Sequence, residues 1–229
     1  DIRSGRSAPI RLAVTFDEAT TQASLTQGGA RFALDRNAAT PDLTSLALTR
    51  VPIAWAQALL AQAWPEAKFK GGVFDAALAI EAPANRPLRI SGPLKLRGVG
   101  LETVDATIAG ENLGGDLRID YRTTPAMSLL TLDGALVVSV FDGYLHVTGL
   151  RVSEPFGLAS HLQADVEARH IDLGQRTDTF SFGSITGFAD LDLKGLELVR
   201  WRPTRFDARL ASSPGDYRRR ISQRAVQNI

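Results

Sequence analysis

The sequence predicts a mainly β protein built around one long, curled antiparallel sheet. Three observations carry that expectation: apolar and polar residues alternate strictly, one by one, over most of the 229 residues, Gly- and Asp-Gly-type punctuation recurs between the alternating runs, and only two stretches carry helical signals. A period of two places one set of side chains on each face of a strand, so each run presents one apolar and one polar side.

Taken in order, Ile10, Leu12, Val14 and Phe16 interleave with Arg11, Ala13 and Thr15, and Gly28-Gly29 supplies a turn. Ile53 to Trp64 breaks the alternation. Its polar residues are Gln57 and Gln62, Pro52 suits a first helical turn and Pro65 a stop, so residues 53–64 are expected to form one short buried helix. Alternation resumes at Phe74, Ala76, Leu78 and Ile80, then over residues 94–101 and 104–108. Asn112-Leu113-Gly114-Gly115 reads as a turn before Leu117, Ile119 and Tyr121, whose partners are Arg118, Asp120 and Arg122. Asp133-Gly134 and Asp142-Gly143 read as further turns, separating strands over 135–141 and 144–152. Leu162, Ala164, Val166 and Ala168 face away from His161, Gln163, Asp165, Glu167 and Arg169, and strands over 191–198 and 206–210 complete about a dozen. A second helix is expected over 214–229, with Ser213 as cap, Pro214 in the first turn, Asp216 at the positive end of the dipole, and a stripe of Tyr217, Ile221, Ala225 and Ile229.

Composition narrows the function classes. With 44% apolar and 22% charged residues the chain is an ordinary globular polymer, and no low-complexity linker divides it, so 1–229 reads as one elongated domain. Zero cysteines remove disulfides, thiol nucleophiles and Cys-type metal centres. A net charge of +1 gives no global field for nucleic acid, and Trp201 between Arg200 and Arg202 lacks the repeated aromatics of single-strand binders; no nucleic-acid partner is expected. Charge is polarised, however: residues 200–229 hold eight arginines against Asp207 and Asp216. That basic end reads either as a surface for anionic headgroups or as a solvated face. No apolar run is long enough to cross a membrane as a helix, and Asp1 in place of a methionine suggests a piece of a longer protein.

Catalytic signals are thin. His146, His161 and His170 lie in separate runs without metal-ligand spacing. Asp165 with Glu167, and Asp190 with Asp192, are pairs on one strand face that a general acid and base would require, and also what any exposed strand face looks like. No nucleophile elbow, phosphate loop or dinucleotide fingerprint is present, and neither a cofactor nor a metal is expected. The remaining problem is physical. About a dozen strands with one apolar face need a cover, and two helices cannot provide it. The sheet either folds over itself into a sandwich or barrel, or curls into a trough that a guest fills; acyl chains suit such a trough, at about 0.8 kcal/mol per buried methylene.

Three segments then carry a resemblance: "SGPLKLRGVGLETVDATIAGENLGGDLRIDYR" (91–122), "LQADVEARHIDLGQRTDTFSFGSITGFADLDLKGLELVRWRPTRFDARLASSPGD" (162–216) and "RRRISQRAVQNI" (218–229). With the cadence Ile171-Asp172-Leu173, Gly183-Ser184-Ile185-Thr186-Gly187 and Trp201-Arg202-Pro203, they resemble AsmA-like envelope proteins of the YdbH-type branch, related more distantly to TamB and to the repeating-β-groove, bridge-like lipid-transfer proteins. The resemblance covers roughly the last 140 residues and carries no catalytic residues. It implies a groove- or taco-shaped periplasmic fragment of a larger protein of a diderm bacterium, held in the inner membrane by an anchor absent from this chain. Such a protein is non-enzymatic and moves phospholipids toward the outer membrane; the rival is an assembly scaffold that binds outer-membrane proteins through its sheet edges. The expected groove lining, in contact with phospholipid acyl chains, is Leu117, Ile119, Tyr121, Leu162, Ala164, Val166, Leu191, Leu193, Phe206 and Leu210.

Overall fold

The computed structural model describes residues 8–103, 109–174, 185–218 and 220–221. In chain order the strands are β1 (Ile10–Phe16), β2 (Thr20–Gln27), β3 (Ala30–Asn37), β4 (Leu43–Pro52), β5 (Ala67–Lys70), β6 (Val73–Glu81), β7 (Arg89–Thr103), β8 (Ala109–Thr123), β9 (Ser128–Val140), β10 (Gly143–Ser153), β11 (His161–Asp172), β12 (Ile185–Thr186), β13 (Phe188–Val199), β14 (Arg202–Ser212) and β15 (Arg220–Ile221). Thirteen of them form one sheet in the order β1-β2-β3-β4-β6-β7-β8-β9-β10-β11-β13-β14, with β5 paired to β7 beyond the end of β6. Every pairing is antiparallel and the sheet does not close, so β1 and β14 are free edges. β12 and β15 pair separately. The expected strand over 104–108 lies outside the described residues.

Strands of the second half are longer than their punctuation suggested. Asn112 to Gly115 is not a turn but a stretch inside β8, and Asp133-Gly134 lies inside β9. The glycines serve close approach: a Cβ on Gly115 would stand 2.4 Å from the Ala135 carbonyl oxygen, and one on Gly134 would stand 2.6 Å from that of Asp116. Gly28 and Asp142 do turn the chain, both with positive φ.

A bulge device recurs from β4 onward. Where the register shifts, a residue with φ near +50° leaves its amide unpaired, and an aspartate on the adjacent strand accepts it. Arg50 N–H donates to Asp75 (2.9 Å), His170 N–H to Asp190 (2.9 Å) and Gly195 N–H to Asp165 (2.8 Å). Each carboxylate thus satisfies a donor that the ladder drops, and each bulge adds local twist.

Ile53–Ala56 forms a 3-10 turn and Gln57–Ala63 a helix, α1, so the expected helical segment exists. Its expected burial is corrected. Ile53 is buried, but Trp55 and Leu59 are 41% and 53% exposed and no residue of α1 itself is buried. The helix packs mainly against the adjoining 3-10 turn and the short β5, so only part of its surface meets protein: the Gln57 side-chain carbonyl accepts the Phe69 amide of β5 (3.2 Å) and Trp64 stacks on Trp201 (4.3 Å between ring centres). The Trp201 indole N–H also donates to the Ala63 carbonyl (3.2 Å). Trp201 lies in the β13–β14 turn, seven strand steps from β4.

The C-terminal helix expected over 214–229 is corrected as well. Ser213 is 1% exposed and its hydroxyl donates to Asp190, while its amide donates to the Phe188 carbonyl, so the cap is consumed by the sheet. Gly215 at φ +143° interrupts any first turn, the Tyr217 hydroxyl donates back to the Phe188 carbonyl (3.0 Å), and Arg220–Ile221 are extended in β15. Tertiary hydrogen bonds outweigh the local helical signal here. Residues 222–229 lie outside the described set.

Candidate functional site: one continuous apolar face

Register decides which side chains share a face, because residues paired across an antiparallel ladder point the same way. One row can be followed through twelve strands: Phe16, Thr21, Arg36, Thr44, Ile80, Ile90, Tyr121, Leu130, Val152, Leu162, Leu198 and Pro203 are successive partners. A neighbouring row on the same face joins Leu12, Leu25, Phe32, Leu48, Ala76, Leu94 and Leu117. Further along, Val138, Leu145, Ala168, Leu191 and Leu210 form another.

All ten residues expected to line a groove fall on this face. Leu117 and Ala164 are buried; Ile119, Tyr121, Leu162, Val166, Leu191 and Leu193 are half-buried; Phe206 and Leu210 on edge strand β14 are exposed. Buried apolar side chains are spread across the interior strands, from Val51 (3%) in β4 through Val99 (1%) in β7 and Leu117 (6%) in β8 to Ala168 (3%) in β11. Yet Ile53 and Leu117 are the only buried apolar side chains larger than valine among the described residues. A sheet sealed under a second layer would bury leucines and phenylalanines wholesale, as close-packed interiors do.

The opposite face is polar and laced with cross-strand ion pairs. Asp75 meets Arg97 (3.1 Å), Lys95 meets Asp116 (2.6 Å), Asp120 meets Arg89 and Arg122 (2.8 Å each), and Asp192 meets Arg169 (2.6 Å). The two arginines hold the Asp120 carboxyl far below the ordinary carboxylate range. Hydrogen bonds from the His170 amide and the Ser213 hydroxyl lower that of Asp190. Each member of the acidic pairs singled out in the sequence therefore has a structural partner: Asp165 and Asp190 hold bulges, and Glu167 and Asp192 both face Arg169. His161 lies 3.8 Å from Glu197, and His170 stacks on Phe188. Among the described residues no group of three His, Asp or Glu converges as a metal site would.

The class defined by this geometry is an open, single-layer antiparallel β protein with one apolar and one charged face. No family model, no curated protein and no solved structure matches the chain.

Proposed function

We propose that the sheet curls toward its apolar side into an open groove, and that the protein is a non-enzymatic lipid-binding module whose groove holds phospholipid acyl chains. The observation that carries this reading is a face that runs through twelve strands, lined by apolar side chains along the row from Ile80 to Pro203, without a covering layer among the described residues. A single sheet withdraws one face from water only by bending toward it, and the central apolar side chains are withdrawn while Arg118, Lys95 and Arg97 behind them are exposed. The Trp64–Trp201 contact supports the same bend: seven strand steps of about 4.8 Å would set these elements about 34 Å apart in a flat sheet. A non-directional apolar trough suits a disordered hydrocarbon chain, since each methylene gains without needing a hydrogen bond.

In this proposal the module is a periplasmic segment of a larger, AsmA-like bridge of a diderm bacterium, anchored in the inner membrane outside the present chain and passing phospholipids toward the outer membrane. The likeness of residues 91–122 and 162–216 to the AsmA-like cadence is its support.

Lipid extraction and native mass spectrometry of the purified protein test it. Phospholipid is expected to co-purify, and Ile119→Asp or Val166→Asp, at half-buried positions, is expected to abolish it with the far-ultraviolet spectrum intact. Unfolding of both variants would instead assign those positions to a sealed core.

A second reading, an assembly scaffold that pairs with outer-membrane proteins, is favoured by the two edge strands: every residue of β1 and of β14 is exposed. Capture of a β-barrel client by lipid-free protein, lost when proline is placed in β1, supports it.

A further inference from the structure

The apolar face carries one charge. Following the register through the thirteen-stranded sheet, and leaving the bulge positions aside, Arg36 is the single charged residue whose side chain lies on that face among the described residues. Every other strand Asp, Glu, Lys or Arg falls on the opposite side, where the cross-strand ion pairs are, and none of those pairs includes Arg36. Its direct cross-strand neighbours are Thr21 and Thr44, two hydroxyl side chains. Beyond them the row continues into Phe16 on one side and Ile80 and Ile90 on the other.

Position matters as much as charge. Arg36 is the exposed penultimate residue of β3, close to the end of the sheet, and a long arginine stem can cover apolar surface while its guanidinium stays in water. An open hollow of about 610 Å³ lies there, bounded by Phe16, Thr21, Arg36 and the β1–β2 and β3–β4 turns. The nearest turn carboxylate, Asp17, is occupied by the Ala19 and Thr20 amides (2.8 and 2.6 Å), and Glu18 sits on the rim of the same hollow. A forked cation flanked by hydroxyls at the edge of a hydrocarbon-compatible surface matches an anionic headgroup, which a guanidinium grips with two parallel charge-assisted hydrogen bonds.

We propose that Arg36 anchors the carboxylate or phosphate headgroup of an amphiphile whose chains lie along the apolar rows. This rests on the lipid-groove reading and adds to it the class of guest and the direction in which the guest lies, head at the β1–β4 end.

The test compares binding of phosphatidylglycerol and of diacylglycerol, each with the same pyrene-labelled tails, to the intact chain and to Arg36→Gln and Arg36→Leu. The wild type is expected to prefer phosphatidylglycerol by about tenfold, as one charge-assisted contact allows. Both variants should lose that preference while keeping diacylglycerol binding and the far-ultraviolet spectrum. Equal binding of the two probes by the wild type, or a preference that survives in both variants, overturns the anchor and leaves the groove standing. Binding of neither probe overturns the groove and the anchor together. Displacement of phosphatidylglycerol by millimolar inorganic phosphate would make Arg36 a site for free anions and overturn the amphiphile.

Discussion

Strands β1–β3 and strands β7–β11 obey the same alternation but bury their apolar faces to different degrees. In β1–β3 the ladders pair without one register shift, the strands are 7 or 8 residues long, and Leu12, Val14 and Phe16 of the edge strand stay largely exposed. In β7–β11 the strands run to 15 residues, bulges interrupt them near Gly98, Asn112, Gly149 and His170, and Val99, Leu117 and Val152 lie out of water. Hydrophobic letters alone do not decide burial in a single layer. Position in the sheet decides it as well: the edge strands β1 and β14 are exposed throughout, while the same letters in the interior strands are mostly buried or half-buried.

That contrast can be broken by moving a charge. Val99→Asp or Leu117→Asp places an unpaired carboxylate in the withdrawn centre and is expected to cost about 4 kcal/mol or more, seen as loss of the folded baseline in urea. Leu12→Asp on the exposed edge strand β1 should leave the urea midpoint nearly unchanged. A smaller effect sharpens the role of the bulges. Asp165→Ala strips the acceptor from the Gly195 amide and is expected to cost about 1 kcal/mol, whereas Asp35→Ala in the regular region should cost less, both read by urea denaturation.

The smallest effect is a pH response of strands β8 and β13. Asp120 and Asp190 have carboxyls held below their unfolded value, by arginines in the first case and by an amide and a hydroxyl in the second. A depressed folded pKa contributes stability that is fully present above the unfolded pKa, about 3.9, and is lost as pH falls through the folded value. Stability is therefore expected to fall below about pH 4, and Asp190→Asn should flatten part of that acid limb in pH-dependent melting.

The faces of the strands are legible because alternation does not depend on strand length: all ten expected lining residues share one face although Asn112–Gly115 and Asp133-Gly134, with the letters of turns, lie inside strands. Bulges at Arg50 and His170 were not legible, since neither residue advertises a positive φ; the Asp that stabilises each sits 25 and 20 residues away in sequence. Ser213 carried a genuine cap signature that Asp190, remote in the chain, outcompeted. Arg36 carries a signal in the sequence itself: it occupies the next apolar-phase position after Phe32 and Leu34.

Among the described residues the strands of the large sheet pair with strands close to them in sequence, and the Trp64–Trp201 stack is one of the few contacts that reach farther. Such a molecule resembles a zipper more than a globule. Its amides should show hydrogen-exchange protection graded from both margins inward, and a pull on either terminus should strip it hairpin by hairpin in a staircase of small force peaks instead of one rupture.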